Sequence, residues 1–209
     1  MPNDSSTGGP LLPDLSGPAP LEGQALNQFL QNWLSAVIGF DPTLVRPRWQ
    51  AEPANLPAAA VCWIAMGVTR RPAETYVMAQ HDPAADNGDG ASYYSRHERL
   101  ELLVSFYDLG VNGQADYYCS LLVDGLAVAQ NNEPLLLAGF VFVEADQPVV
   151  VPTLFKERWQ YRVDLPVSLK RVTMRKYPIR NVLSLDAVIV AQGASGTPPL
   201  IIPASAPPH

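Results

Sequence analysis

The segment from residue 45 to 69 constrains the fold more than any other part of the chain. Its sequence, VRPRWQAEPANLPAAAVCWIAMGVT, is too apolar for a solvated linker and carries no arrangement of nucleophile, base or metal ligand. Proline fixes its own φ and biases the preceding residue towards extended geometry. The segment therefore predicts an extended stretch over Val45–Trp49, a proline-braced loop over Glu52–Pro57 and a buried strand over Ala60–Val68. Prolines placed in this way indicate a rigid scaffold, which favours assembly over chemistry.

Composition excludes several classes of protein. The 209 residues are 47% hydrophobic and 16% charged, which is typical of a globular chain that can bury a real core. The net charge of −6 disfavours general nucleic-acid binding, because affinity for phosphate depends on clustered Lys and Arg. Cys62 and Cys119 lie in apolar stretches without CxxC spacing, so we expect two reduced, buried thiols.

Neither a membrane span nor a secretory signal is predicted. No apolar run reaches the roughly 20 residues that a spanning helix needs. The first ten residues, MPNDSSTGGP, lack the positive start and the apolar centre of a signal peptide. We therefore expect a soluble protein that is not secreted by that route.

The chain divides into a body between two proline-rich ends. Residues 1–20 predict a flexible or extended N-terminal arm, residues 21–191 a single domain, and residues 192–209 a proline-rich C-terminal arm. Leu200, Ile201 and Ile202 place an apolar plug in the C-terminal arm. That plug fits either an irregular terminus or an arm that orders when it docks on a neighbouring subunit.

Helical periodicity appears in three places. Apolar residues predict a helix over Glu22–Ile38 that ends at Gly39. A second helix is expected from an Asn112 cap to about Ala129. A short helical turn is expected at Pro134–Ala138, since proline is tolerated in a first turn.

The best strand signal is the alternation over Arg96–Tyr107, which places Leu100, Leu102, Val104 and Phe106 on one face. The turn at residues 70–72 suggests a hairpin between Ala60–Val68 and a strand over Thr75–Gln80. Three further short strands are predicted, over Phe140–Glu144, Val149–Val151 and Asn181–Val190.

The stretch Trp159–Tyr177 predicts one long strand. Its apolar phase moves at Val172 and Met174, which predicts a bulge or bend near Lys170–Arg171. Pro166 indicates an edge or an unpaired position within this strand. The predicted fold class is therefore α+β: a mainly antiparallel sheet flanked by helices, with a long bent strand or hairpin and extended proline-rich terminal arms.

Residues that could carry chemistry are few. The sequence contains no G-x-S-x-G, H-E-x-x-H, Walker A or G-x-G-x-x-G motif. His97 lies within a strand, and His81 stands beside the acidic loop that contains Asp82, Asp86 and Asp89. The loop lacks the ligand spacing of an EF-hand, so a solvated acidic turn is favoured over a metal site. No catalytic residue, cofactor or metal site is predicted.

Basic residues concentrate in the long strand and its exit. They are Arg158, Arg162, Lys170, Arg171, Arg175, Lys176 and Arg180. One interpretation is a solvated sheet edge on which Lys and Arg prevent unwanted pairing. The other is a basic face that meets an acidic face of another subunit, with the acidic loop supplying the opposite charge.

Several ordered blocks resemble a known family. They are VRPRWQAEPANLP, CWIAMGV, RHERLELLVSFYD and VPTLFKERWQYRVDLPVSLKRV. From about Asp41 to Val190 the chain is similar to the neck or tail terminator proteins of tailed bacteriophages. The resemblance does not extend to the arms and is weak over the leading helix.

The resemblance implies a structural virion protein of the head–tail junction, without catalytic residues or cofactors. Such proteins form a ring, usually of six copies, that caps the tail tube and meets the head-side connector while DNA passes through the bore. The implied partners are copies of itself, the connector or adaptor protein, the tail tube and the sheath protein, with no membrane. Residues in the matching blocks would be structural or inter-subunit anchors: Arg48, Trp49, Trp63, Arg96, Glu98, Phe106, Arg158, Trp159, Arg162 and Arg171.

Two alternatives remain at this point. The chain could be another head-completion, connector or tube-initiator component, which belongs to the same broad class. It could instead be a small hydrolase that uses His81 and His97. If the chain is a neck ring, Asp82, Asp86 and Asp89 could line the bore, so that DNA slides past without binding.

Overall fold

A computed structural model describes most of the chain, namely residues 3–17, 19–49, 62–74, 76–108, 113–155, 158–182, 186–191 and 200–205. Two compact units can be distinguished. The first combines Met1–Ser16, Ala79–Tyr94 and Arg175–His209, and the second combines Gly17–Met78 and Ser95–Met174.

The described residues form an α+β fold, which confirms the predicted class. The helices are α1 (Gly23–Ile38), α2 (Gln114–Leu126) and α3 (Glu133–Leu137). The strands are β1 (Val45–Pro47), β2 (Cys62–Arg70), β3 (Met78–Asp82), β4 (Ala91–Asp108), β5 (Phe140–Ala145), β6 (Val149–Val150), β7 (Thr153–Phe155), β8 (Arg158–Gln160), β9 (Arg162–Tyr177), β10 (Asp186–Ala191) and β11 (Leu200–Ser205). The main sheet runs β1-β2-β4-β9-β5, with β3 beside β4 and β6 beside β9.

Most of this sheet is antiparallel. Strand β2 pairs antiparallel with β4, and β5 and β6 pair antiparallel with β9. Strand β1 instead pairs parallel with β2, with Val45 opposite Ile64. The predicted extended stretch over Val45–Trp49 therefore begins as a strand of the sheet. The predicted loop over Glu52–Pro57 lies outside the described residues.

Helix α1 matches the predicted amphipathic helix. Its buried residues recur at helical spacing: Leu26, Leu30, Trp33, Leu34, Ser35 and Ile38. Gly39 ends the helix with φ 64°, and such a left-handed position favours glycine because a side chain would be strained there.

One hydrophobic core joins the helices to one face of the sheet in the second unit. Alternate residues of β4, from Leu100 to Phe106, are buried as predicted. They belong to the same cluster as the buried faces of α1 and α2 and as Leu135 of α3. The periodicities of 2 and 3.6 residues thus identified the core correctly.

The predicted hairpin between residues 60–68 and 75–80 is wrong. Strand β3 pairs with β4, and β2 pairs with β1 on one side and β4 on the other. The backbone after β2 also follows β4, because Glu74 N–H donates to His97 O at 3.1 Å and Arg99 N–H donates to Pro72 O at 3.0 Å. A short turn between two strands favours a hairpin locally, but β3 pairs with the longer strand β4 instead of with β2.

The predicted phase change in β9 is also wrong. Its buried face continues through Arg171 and Thr173, while Val172 and Met174 are exposed. The bulge lies in β5, between Phe142 and Glu144, opposite a regular part of β9. Hydropathy alone misplaced the buried face of β9, because the polar residues Arg171 and Thr173 occupy that face beyond the apolar core.

Pro166 lies where the partner of β9 changes from β5 to β6. Val167 pairs with Ala145 of β5, and Asp164 pairs with Val149 of β6. Between these pairs Asp146 N–H donates to Pro166 O at 2.9 Å, a bond that needs only the proline carbonyl. The proline therefore stands at a break in this ladder, although β9 itself is an interior strand.

The start of α2 differs from the prediction. Asn112 lies outside the described residues, and Gly113 precedes the helix with φ 67°. The carboxylate of the buried Asp108, at the end of β4, accepts from Gln114 N–H at 3.1 Å. A carboxylate six residues earlier, at the end of β4, thus accepts from an amide at the start of the helix.

The C-terminal part of the chain contains a second small sheet. Strands β10 and β11 pair antiparallel over six residues each. Asp186 lies opposite Ser205 at one end, and Ala191 lies opposite Leu200 at the other. Strand β10 lies within and beyond the predicted strand Asn181–Val190, and it runs from Asp186 to Ala191. The apolar plug at 200–202 lies in β11, so this part of the predicted arm pairs within the chain.

Candidate interaction surfaces

Arg96, Glu98 and Arg171, three of the predicted anchors, meet in one buried ion cluster. Arg171 is almost fully buried; its Nε donates to Glu98 Oε2 at 2.8 Å, and its Nη1 donates to Leu21 O at 2.6 Å. Arg96 Nη2 lies 2.5 Å from Glu98 Oε1. The half-exposed Glu22 approaches Arg171 Nη2 at 3.6 Å. The cluster joins β4, β9 and the start of α1, and gives these residues a structural role within the unit.

The electrostatics of the cluster favour a charged Glu98. Burial by itself would raise the pKa of this carboxyl, because desolvation penalises the charged form. Hydrogen bonds and charge from Arg171 and Arg96 outweigh burial, so the pKa of Glu98 lies below its ordinary value. The ring of Phe140 covers the other side of Arg171, with the guanidinium carbon 5.7 Å from the ring centroid.

Arg48 and Trp49 lie against the other face of the sheet. Arg48 N–H donates to Met66 O at 2.6 Å, and its Nη2 donates to Ser105 Oγ on β4. A Cβ placed on Gly67 would lie 3.1 Å from Arg48 Cβ, so glycine leaves room for this crossing. Trp49 is 76% exposed. The pair therefore combines a fixed arginine with an uncovered tryptophan.

Trp63 and Arg162 belong to an aromatic stack at the end of β2 and β4. Trp63 stacks on its cross-strand partner Tyr107 with centroids 4.2 Å apart and planes at 9°. The guanidinium carbon of Arg162 lies 5.7 Å from the Tyr107 centroid, and Asp164 pairs with Arg162 at 3.0 Å. These contacts fix three strands at one end of the sheet and leave Trp63 and Tyr107 half-buried.

Trp159 lies in a separate two-stranded sheet formed by β7 and β8. It pairs directly with Leu154, and the two side chains are 74% and 59% exposed. Arg158 begins β8, but its side chain is not among the described parts of the molecule. A hairpin whose large apolar side chains are uncovered gains little stability from its own chain.

The sequence did not predict the uncovered edge formed by β5. Strand β5 ends the main sheet, and no described strand pairs with its outer side. Val141 and Val143 are 51% and 37% exposed, and the preceding Leu136 and Leu137 of α3 are 58% and 91% exposed. The signal available in the sequence was the run LLAGFVFV, whose apolar residues exceed what one buried face can hold.

In the first unit, the acidic turn follows β3. Asp86 has a φ of 54° and pairs with Lys176, which also approaches Asp14 Oδ2 at 3.5 Å. These partners raise the pKa of Lys176, with the hydrogen bond to Asp86 contributing most. Asp82 caps the turn by accepting from Ala84 N–H at 3.0 Å, and Asp89 is exposed. The three predicted acids thus share a turn, and one of them is matched by a lysine.

Asn181 holds the same turn in shape. Its Nδ2 donates to Pro83 O at 2.9 Å and to Gly88 O at 2.8 Å, while its backbone N–H donates to Asp89 O at 2.8 Å. Its Oδ1 lies 2.8 Å from His81 Nε2. Because Asn181 Nδ2 donates to two carbonyls, Asn181 Oδ1 faces His81 and accepts a hydrogen bond from His81 Nε2.

His81 is one of the two histidines on which the hydrolase alternative depends. Its Nδ1 lies 2.9 Å from Ser92 Oγ, so the order Asn181, His81, Ser92 places an orienting amide, a base and a hydroxyl in sequence. Ser92, however, is 6% exposed on a strand, where a substrate carbonyl cannot reach its oxygen. His97, the other proposed base, is an exposed residue of β4. This arrangement fits a hydrogen-bonded support for the turn.

Comparison with known families decides which kind of protein this is. Residues 24–194, most of the chain, match the family described as phage neck terminator protein. The chain belongs to this family. The match confirms the resemblance drawn from the sequence blocks and identifies a structural protein of the phage neck, found in the virion. No curated protein sequence matches the chain.

The cysteines of this neck terminator lie as the sequence predicts. Cys62 and Cys119 are buried and free, as predicted. Burial, with a smaller effect of Asp108 or Asp116, raises the pKa of Cys62 to about 12 and that of Cys119 to about 11. Within the described ranges no cluster of His, Cys, Asp and Glu could hold a metal ion, and no helix is long and apolar enough to cross a membrane.

Proposed function

We propose that this neck terminator forms a homo-oligomeric ring, of six copies, at the head–tail junction. The ring caps the finished tail tube, contacts the tube and the sheath protein below, and joins them to the head-side connector above. The observation that carries the proposal is the family match over residues 24–194. In this role the protein acts through its surfaces and needs no reacting group.

The exposed tryptophans support this assignment. A ring forms when one surface of a subunit meets a different surface of the next and the rotation closes. Trp49 and Trp159 are uncovered on the single chain, and tryptophan is one of the residues enriched among the side chains that contribute most to binding at interfaces. We therefore assign Trp49 and Trp159 as inter-subunit anchors, whereas Arg96, Glu98 and Arg171 stabilise the subunit that presents them.

We also propose that the acidic turn lines the bore of the ring. Asp82 and Asp89 carry no ion pair among the described contacts, so their charge repels DNA phosphate. The chain's net charge of −6 acts in the same direction. Replacing Asp82 and Asp89 by lysine would slow DNA ejection, whereas the same change at the exposed Asp124 of α2 would not. Equal ejection rates for the two variants would refute this assignment.

Particles made without this protein test the main proposal. We expect tails of abnormal length, or full heads and tails that fail to join, and complementation by the wild-type chain should restore joining. Trp159→Ala should complement poorly because it removes an anchor, whereas Val128→Ala, at another exposed apolar site, should complement fully. Normal infectious particles in the absence of the protein would refute the proposal.

The same particles separate this function from the alternatives. Labelled protein at the head end of the tail supports a terminator, whereas label at the distal end indicates a tube initiator. Label that stays on isolated heads indicates a head-completion component. If the chain were a hydrolase that uses His81 and His97, alanine at these positions would abolish its contribution to particle assembly. We expect both variants to support assembly.

A further inference from the structure

We propose that the outer edge of β5 pairs with β10 of a second copy, so that the small sheet of one subunit extends the main sheet of the next. This inference rests on the proposed ring function, because it names the surfaces through which neighbouring copies join.

The acceptor is an edge with little protection. Natural edge strands are usually blunted by charged residues, by proline or by bulges. The first four residues of β5, FVFV, carry no charge and no proline, and the bulge after Phe142 leaves the regular register of Phe140–Phe142 unaffected. Four large apolar side chains between residues 136 and 143 are also exposed, and clustered exposed apolar side chains mark interaction sites.

The donor is a ribbon that lacks a third strand. Among the described residues, β10 and β11 pair only with each other, and a ribbon of two strands is at best marginally stable alone. Proline removes a backbone donor and is therefore found in edge strands. Pro203 lies in β11, which makes β11 the outer strand, whereas β10 keeps every donor and acceptor over Asp186–Ala191.

The two edges match in length and composition. Both β5 and β10 have six residues, and both are free of proline. β10 reads DAVIVA, a sequence rich in the β-branched residues that favour strands. Adding a strand to an open edge gains main-chain hydrogen bonds along its whole length. A contact between two different strands allows a heterologous, head-to-tail arrangement, and an arrangement of that kind can close into a ring.

Cross-linking between cysteine variants of the full chain tests this pairing. A tagged Val141→Cys chain is mixed with an untagged chain that carries either Val188→Cys or Ile189→Cys. A bifunctional maleimide is then added. Its reach of about 8 Å matches the distance between diagonal neighbours on paired strands. Adjacent strand residues face opposite sides, so one of the two β10 variants should react. The native thiols of Cys62 and Cys119 give little background, because both are buried.

We expect a tagged–untagged product with one β10 variant. Tagged Val128→Cys, half-exposed like Val141, serves as the control and should give no product. Val141→Lys should lower the amount of oligomer at least tenfold at a fixed concentration, and Val128→Lys should leave it unchanged. A product between two tagged Val141→Cys chains would overturn the inference in favour of a two-fold β5–β5 contact.

Electron micrographs of the same samples distinguish failure of this inference from failure of the function. Rings that form without a cross-linked product, or rings that persist with Val141→Lys, would overturn the β5–β10 pairing alone. A chain that forms no ring and is dispensable for joining heads to tails would overturn the proposed function together with the pairing.

Discussion

The buried ion cluster gives the sharpest stability prediction. Glu98→Gln keeps the shape of the side chain but leaves Arg171, with 3% of its side chain exposed, without its principal counter-charge. Removing one partner of a buried pair costs about 3–5 kcal/mol. Glu22 remains 3.6 Å away but is half exposed, so it compensates only in part. We therefore expect a loss of about 3 kcal/mol, at the lower end of that range.

Urea unfolding at a fixed protein concentration measures this loss, and thermal unfolding should show a fall in Tm of about 6–12 °C for a chain of this size. The matched control is Glu101→Gln, which breaks the exposed pair with Arg70 at 3.4 Å. An exposed pair contributes at most about 1 kcal/mol. Replacing both charges in Glu98→Leu/Arg171→Met should cost less than Glu98→Gln, because no unpaired charge stays buried.

The pH dependence has a defined sign. The pKa of Glu98 in the folded protein lies below its ordinary value, so the unfolded chain takes up a proton first as pH falls. The stabilisation is complete well above about pH 4.3 and is lost as pH falls through the lower folded pKa. Glu98→Gln should flatten this acid dependence. If Glu98→Gln costs no more than Glu101→Gln at neutral pH, the argument from burial is wrong.

Three further changes test the packing. Gly67→Ala should destabilise by about 1–2 kcal/mol, measured by urea unfolding, because the new methyl group would press on Arg48; an unchanged midpoint would contradict that contact. Cys62 and Cys119 should stay unreactive towards a thiol reagent at pH 8 and react when unfolded, since their raised pKa values keep both protonated; modification of the native chain would contradict their burial. Asn181→Ala should speed proteolytic cleavage at residues 83–89, because it removes three side-chain hydrogen bonds; an unchanged cleavage rate would refute that role.

Local patterns predicted the elements whose burial follows a single period. Helix α1 and the core face of β4 match their predictions because each repeat or alternation lies on one continuous apolar face. The short helix α3 was predicted for a different reason, the tolerance of proline in a first turn. Gly39 was identifiable as the end of α1 since a left-handed position favours glycine. The matching blocks likewise identified the family without any knowledge of contacts.

Pairing and polar burial could not be predicted in the same way. Arg171 looked like part of a basic edge, yet it is buried, because a carboxylate more than seventy positions earlier accepts its hydrogen bond. The choice of β4 as the partner of β3 depends on competition between strands, and local turn chemistry reports nothing about that competition. The uncovered edge of β5 appeared only when the order of strands was known.

The sequence by itself determined the helices, the core strands, the buried thiols and the membership of the neck terminator family. These follow from periodicity, from the conformational limits of glycine and proline, and from ordered sequence blocks. Only the tertiary structure decided which strand pairs with which, which charges are buried together and which edge remains open. Those outcomes depend on contacts between residues distant along the chain, whose energies no local pattern records.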